Sequence, residues 1–184
     1  MRALATLALT LGFLAGGAPS AAQTFGFGAH AGVSIPTGDY SDLADVGFSG
    51  GLDFRLPLAM VTPALSWYSS IDAVGHSASA EAIGGGFLTV PLLTGVRFDL
   101  GTLGMIRPFG TGQLGLAFIR SPEVGAVDAA TNTEFAFALG GGLQLTDNLY
   151  AGLRWFNLGS VDFEPPELGS PSVSFLDIYL GFGF

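Results

Sequence analysis

Residues 87–100 read Phe87-Leu-Thr-Val-Pro-Leu-Leu-Thr-Gly-Val-Arg-Phe-Asp-Leu100. Leu88, Val90, Leu92, Thr94, Val96, Phe98 and Leu100 alternate with Phe87, Thr89, Pro91, Leu93, Gly95, Arg97 and Asp99. Successive side chains of a strand point to opposite faces, so this period of two predicts a strand with one apolar face and one mixed face. Pro91 removes a ladder donor, and a local bulge or kink is expected there. The mixed face ends in Arg97 and Asp99, an unlike-charge pair two residues apart.

The same rhythm recurs on both sides of this stretch. From Phe25 to Ile35 the odd positions are Phe25, Phe27, Ala29, Ala31, Val33 and Ile35, and the even ones are Gly26, Gly28, His30, Gly32 and Ser34. Pro36-Thr-Gly-Asp39 follows as a turn. Further strands are predicted at 47–56, 61–70, 106–119, 134–145, 149–158 and 172–184, eight in all with 87–100. The stretch 61–70 is the weakest of the set. Leu65 and Trp67 lie on one of its faces, Ser66 and Tyr68 on the other. Residues 71–85 are small and polar and are expected to form a loop. Connections alternate between long (36–46, 71–85, 120–133, 159–171) and short (57–60, 101–105, 146–148). That is the pattern of a membrane barrel with long outer loops and short periplasmic turns.

The start of the chain sets the compartment. Arg2 precedes an apolar run from Ala3 to Ala15, and Gly16 to Ala22 are small residues plus one Pro, ending Ser20-Ala-Ala22. This is the layout of a cleavable secretory signal, and the apolar run is shorter than the roughly 20 residues a spanning helix needs. Two segments are therefore expected: a signal peptide at 1–22 and a barrel domain at 23–184. Removal of Arg2 leaves 5 basic residues against 15 acidic ones, a formal charge of −10. There is no Lys, so the extended basic surface that nucleic acid needs is lacking, and nucleic acid is not expected as a partner. The absence of Cys removes disulfides, Fe–S clusters and thiolate metal sites.

The chain is 49% hydrophobic, yet no run of 18 apolar residues follows Ala22, and 29 glycines are spread along it. High hydrophobicity without long runs calls for spanning strands rather than spanning helices. The expected fold is all-β, an eight-stranded antiparallel transmembrane up-and-down β-barrel. A soluble barrel would point its large apolar face inward. Here the face opposite the large apolar residues is crowded with Gly, Ala and Ser, which suits a narrow interior.

Three stretches resemble the small OmpA/OmpX-type outer-membrane barrels, and the likeness covers residues 24–184. They are Phe25-Gly-Phe-Gly-Ala-His-Ala-Gly-Val-Ser-Ile-Pro36, Arg107-Pro-Phe-Gly-Thr-Gly-Gln-Leu-Gly-Leu116 and Tyr179-Leu-Gly-Phe-Gly-Phe184. The resemblance implies residence in the bacterial outer membrane among lipid and lipopolysaccharide. It also implies insertion by the barrel-assembly machinery, with Tyr179, Leu180, Phe182 and Phe184 forming the C-terminal assembly signal. No periplasmic peptidoglycan-binding domain is expected after Phe184.

Seven ionisable residues fall on the expected lumen face: Asp53, Arg55, Arg97, Asp99, Glu134, Arg154 and Asp177, joined by His30. Charges in a narrow bore must be paired. A lumen charge network is therefore expected, with Asp53, Arg55, Arg97 and Asp99 together near the periplasmic end and Arg154 beside Asp177 nearer the middle. The competing reading is a narrow path for water or small solutes. Trp67, Trp155, Tyr68 and Tyr150 are expected as girdle or lipid-face aromatics.

His76, Ser77, Ser79 and Glu81 share an expected outer loop and contain the residue types of a lipid A-modifying hydrolase. A Ser nucleophile needs a base and an orienting acid held in register, and an Ala- and Gly-rich loop offers no such scaffold. No enzyme activity is expected. Asp39, Asp42, Asp45, Asp72, Glu81, Glu123, Asp128, Asp162, Glu164 and Glu167 give the outer loops an acidic character. The sequence lacks the Gly and terminal Glu of a calcium-binding loop at 39–45, so no metal site and no cofactor are assigned. The expected role is structural or surface-interacting, exercised through the outer loops.

Overall fold

The computed structural model describes residues 26–79, 85–121, 130–161 and 170–184. The expected signal peptide, Phe25, and the loop acids Glu81, Glu123, Asp128, Asp162, Glu164 and Glu167 lie outside them. Eight strands follow one another: β1 (Gly26–Thr37), β2 (Gly47–Pro57), β3 (Leu65–Ser77), β4 (Gly86–Asp99), β5 (Arg107–Arg120), β6 (Thr131–Gln144), β7 (Leu149–Ser160) and β8 (Ser172–Gly183). Each pairs antiparallel with its sequence neighbour, and β8 closes on β1 through pairs such as Ala31 with Leu180. Closure leaves no sheet edge, as a strand structure in lipid requires.

The alternation read from the sequence sets the two faces. Phe27, Leu52, Ile71, Leu92, Leu114, Leu139, Leu153 and Leu180 are among the exposed large hydrophobics on the outer wall. At the outer ends this wall changes character. Phe135 gives way to Thr133 and Thr131 on β6, Trp155 to Asn157 on β7, Phe118 to Arg120 on β5, and Ile71 to Ala73, Gly75 and Ser77 on β3. Strands of 11–14 residues exceed the roughly 9–11 needed to cross a bilayer, so the barrel rises beyond the apolar belt. A 3-10 turn, Gly38–Asp42, folds over the rim after β1 and buries Tyr40.

Three expectations are corrected. β3 begins at Leu65 and continues to Ser77, so residues 71–77, expected as loop, are strand. Asp72 and His76 therefore sit inside the barrel and not in an outer loop, at 2% exposure each. Pro91 produces no bulge: the register is the same on either side of it, from Ile71 with Leu92 to Val74 with Thr89, and only the pairs between are missing. A register shift lies instead on β7 and β8, between Asn157 and Ser160.

Leu114 stands midway along β5 with its side chain outward and 56% exposed. Leu114→Arg is expected to destabilise the barrel in phospholipid vesicles by about 2–4 kcal/mol, measured by urea unfolding. A soluble barrel would tolerate a charge at so exposed a position.

Candidate functional site

The lumen is built in three storeys. The outer storey is apolar: Tyr40, Val74, Phe87, Ile119, Phe156, Leu158, Val161, Val173 and Phe175 are buried there in one cluster with Leu93 and several alanines. Phe156 and Phe175 stack at 4.8 Å, and Tyr40 meets Phe87 edge-on at 5.5 Å. Polar groups are set into this plug: His76 Nε2 lies 2.9 Å from Ser34 Oγ, and its Nδ1 lies 3.3 Å from the Tyr40 hydroxyl. Burial at the rim pushes the Tyr40 phenol above its ordinary pKa.

The middle storey centres on Arg154, which is fully buried. Its Nη2 donates to Asp72 Oδ1 at 2.7 Å and to Asp177 Oδ2 at 3.1 Å. Its guanidinium carbon sits 4.9 Å from the Phe156 ring and 4.8 Å from the Tyr179 ring, between the apolar plug and the polar lumen. His30 bridges two carboxylates, with Nε2 2.6 Å from Asp72 Oδ1 and Nδ1 3.3 Å from Asp53 Oδ2. Ser70 donates to Asp72 at 2.9 Å, Ser49 donates to Asp177, and the Tyr150 hydroxyl donates to Asp53. Small residues opposite make the room. A Cβ on Gly140 would come within 2.7 Å of Arg154 Cγ, and one on Gly181 would enter the Tyr150 ring.

The inner storey, at the end carrying the short turns, holds Arg55, Arg97 and Asp99. Arg97 Nε donates to Asp99 Oδ1 at 3.1 Å and its Nη2 to Gln144 Oε1 at 2.9 Å, while Arg55 Nη2 donates to the other Asp99 oxygen. The Arg97 guanidinium lies 3.7 Å over the Phe109 ring, a cation–π contact.

Seven of the eight residues expected in the lumen make these contacts. Asp53 parts from Arg55, Arg97 and Asp99 and joins His30 and Tyr150 one storey up. Glu134 is half-buried near the outer end opposite Ala117 and has no ion pair among the described residues. Of the C-terminal stretch, Leu180, Phe182 and Phe184 are exposed on the outer wall, whereas Tyr179 is buried beside Arg154. Tyr68 and Tyr150, expected as lipid-face aromatics, are buried in the lumen at 3% and 5% exposure. Trp67 and Trp155 are on the outer wall, and Trp155 meets Phe137 edge-on at 5.6 Å. Asp72 is the residue the sequence reading missed: it accepts from both Arg154 and His30. Of the four residues expected together in an outer loop, His76 points inward and Ser77 outward, Ser79 lies by Asp45, and Glu81 is outside the described residues.

No protein-family profile and no curated protein matches the chain. Solved structures do. Neisserial surface protein A aligns with a TM-score of 0.64 at 16% identity, over 86% of this chain and 95% of that one. Ail, the attachment invasion locus protein of Yersinia pestis, aligns with a TM-score of 0.57 at 12% identity, over 89% of this chain and 100% of that one. The outer membrane enzyme PagL aligns with a TM-score of 0.52 at 15% identity, over 85% and 97%. The fold is that of the small outer-membrane barrels. At these identities the likeness extends to the fold alone, and the side chains of the lumen have to be read in their own right.

Arg154→Ala leaves Asp72 and Asp177 buried without their cation, and a loss of about 3–5 kcal/mol is expected in urea unfolding. Adding Asp72→Asn and Asp177→Asn to that variant should return part of the loss, because neutral amides no longer need the guanidinium.

Proposed function

We propose that this outer-membrane barrel is closed to solutes and serves as a rigid mount for its outer segments, in a structural or surface-interaction role. One observation carries the reading: the outer storey of the lumen is filled by a contiguous apolar cluster from Val74 and Phe87 to Phe156 and Phe175. An eight-stranded barrel has a bore that side chains can fill, and apolar filling offers a permeating ion or sugar nothing to replace its water. Beneath it Arg154 is held by two carboxylates, which suits a structural ion-pair core.

Residues 1–22 act as the cleaved export signal. The exposed Leu180, Phe182 and Phe184 act as the stretch read by the barrel-assembly machinery. Lipid and lipopolysaccharide surround the outer wall. Asp39 and Asp42 in the 3-10 turn and Asp45 just after it are exposed at the rim, and give any surface partner an acidic face to meet. The protein named for attachment and invasion shares this fold, which is in keeping with a surface role. The reading is non-enzymatic: the Ser beside His76 is Ser34, fully buried in the apolar plug, and no carboxylate among the described residues contacts the imidazole to orient it as a base.

Incorporated into planar bilayers and sugar-loaded vesicles, the protein is expected to give neither reproducible openings nor swelling. Discrete openings whose size changes with Arg154→Ala would turn the lumen charges into a conduction path and end the closed-barrel reading. If the mount reading holds, replacing residues 122–129 and 162–169 by short linkers should abolish binding of expressing cells to surface partners. Heat-modifiable migration of the barrel should be unchanged.

A further inference from the structure

The inner end of the barrel is not packed in the way the outer end is. A cavity of about 440 Å³ opens there, lined by Arg55, Arg97, Arg107, Asp99, Thr102 and Gln144, with the turns at Pro63, Ala64 and Gly101 completing its walls. The chain holds only 6 basic residues against 15 acidic ones, yet three of the six line this one cavity. Random placement on so acidic a protein does not gather half of its cations in one concavity. Gathering them also has an electrostatic cost unless an anion offsets it.

The protein's own anions offset it incompletely. Asp99 is the one carboxylate in the lining, and it is shared between Arg55 and Arg97. Arg107 pairs with Asp147 at 2.9 Å, but that carboxylate is 94% exposed, so water screens the pair heavily. The hydrogen bonds also leave donors unused. Arg55 donates from Nε to Ser66 Oγ at 3.1 Å and from Nη2 to Asp99. Arg97 uses Nε and Nη2, and Arg107 uses Nη2. Nη1 of each guanidinium, and Nε of Arg107, have no hydrogen-bond acceptor among the described residues.

We infer that this periplasmic mouth is a binding site for a phosphate oxyanion. Guanidinium groups present paired donors at the spacing of phosphate oxygens, and three of them supply more positive charge than a monocarboxylate would neutralise. The cavity lies within the usual size range of small-ligand sites. The Thr102 hydroxyl is available as a further donor from the wall. The phosphate can belong to a soluble periplasmic anion or to the headgroup of a phospholipid in the inner leaflet, since the cavity opens where the short turns meet that leaflet. Because the apolar storey closes the outer end, the ligand enters and leaves by the same mouth.

The test uses the protein extracted from membranes into a non-ionic detergent, with the arginine Nε–H resonances followed by NMR at constant ionic strength. Inorganic phosphate and pyrophosphate form one arm, and a short-chain phosphatidylglycerol forms the other, each against chloride. Saturable shifts of the Arg55, Arg97 and Arg107 signals in the first arm assign the site to a soluble anion. Shifts confined to the second arm assign it to a lipid headgroup. Arg107→Gln, an exposed change that leaves the lumen packing alone, is expected to weaken the response at least fivefold. Arg55→Gln should do likewise, and Arg120→Gln, at the opposite end, should not alter it. The inference is overturned if neither arm exceeds chloride, or if the shifts persist undiminished in Arg107→Gln and Arg55→Gln proteins that retain heat-modifiable migration.

Discussion

Arg154 keeps its charge wherever the chain puts it, because a guanidinium does not deprotonate in a protein. Set in the middle of a barrel whose outer wall faces hydrocarbon, it has no water to turn to, and the interior must supply its solvation. Asp72 from β3 and Asp177 from β8 do so directly. Ser49, Ser70 and His30 hold those carboxylates in turn. The partners come from β1, β2, β3 and β8 and converge on β7, so the network ties together strands that are not neighbours in the wall. Such a network specifies one arrangement of the strands more than it adds stability, since a buried ion pair recovers little beyond its desolvation.

The same constraint explains the distribution of residue size around the bore. Eight strands enclose a space that a few long side chains fill. Where Arg154, Tyr150 and Tyr179 project inward, the facing positions are Gly140, Gly181 and Gly152, and a Cβ at any of these would collide with the side chain opposite. Where the barrel rises past the apolar belt, the interior changes to Phe156, Phe175 and their neighbours. A core of that kind behaves as in a soluble protein, driven by water excluded at the rim. The lumen therefore runs from apolar at the top, through neutralised charge in the middle, to uncompensated positive charge at the base.

Much of this was legible in the alternation. The stretch 87–100 shows both faces at once, and His30, Asp53, Arg97, Arg154 and Asp177 fall inward by parity alone. Residues 71–77 were not legible, and the reason is physical. Above the apolar belt the outer face of β3 carries Ala73, Gly75 and Ser77, which need no hydrophobicity there, while the inner face carries Asp72 and His76, which look like loop residues until their partners are known. Hydrophobic periodicity reports on the lipid-contacting height of a strand and is silent above it. Tyr68 and Tyr150 fail differently. Their parity puts them inward, with Ser66 and Ser70 on one strand and Arg154 on the other. The general enrichment of aromatics in membrane girdles pointed the other way, and the local pattern was the better guide.

The partners of Asp72 show why a charge network is harder to read than a strand. On the sequence its nearest cation is Arg55, 17 positions away; in the barrel it is Arg154, 82 positions away and on a strand that never pairs with β3. Closure of the wall is what brings them together, so the contact exists only once all eight strands are in place. That dependence makes the centre of the lumen a consequence of the completed fold. The base is different, since Arg97 and Asp99 are two residues apart on β4 and Arg55 reaches them across the adjacent β3. A ligand site at the base therefore draws on local pairs that need little of the far wall, and its charge can be tuned by substitution without disturbing the core above.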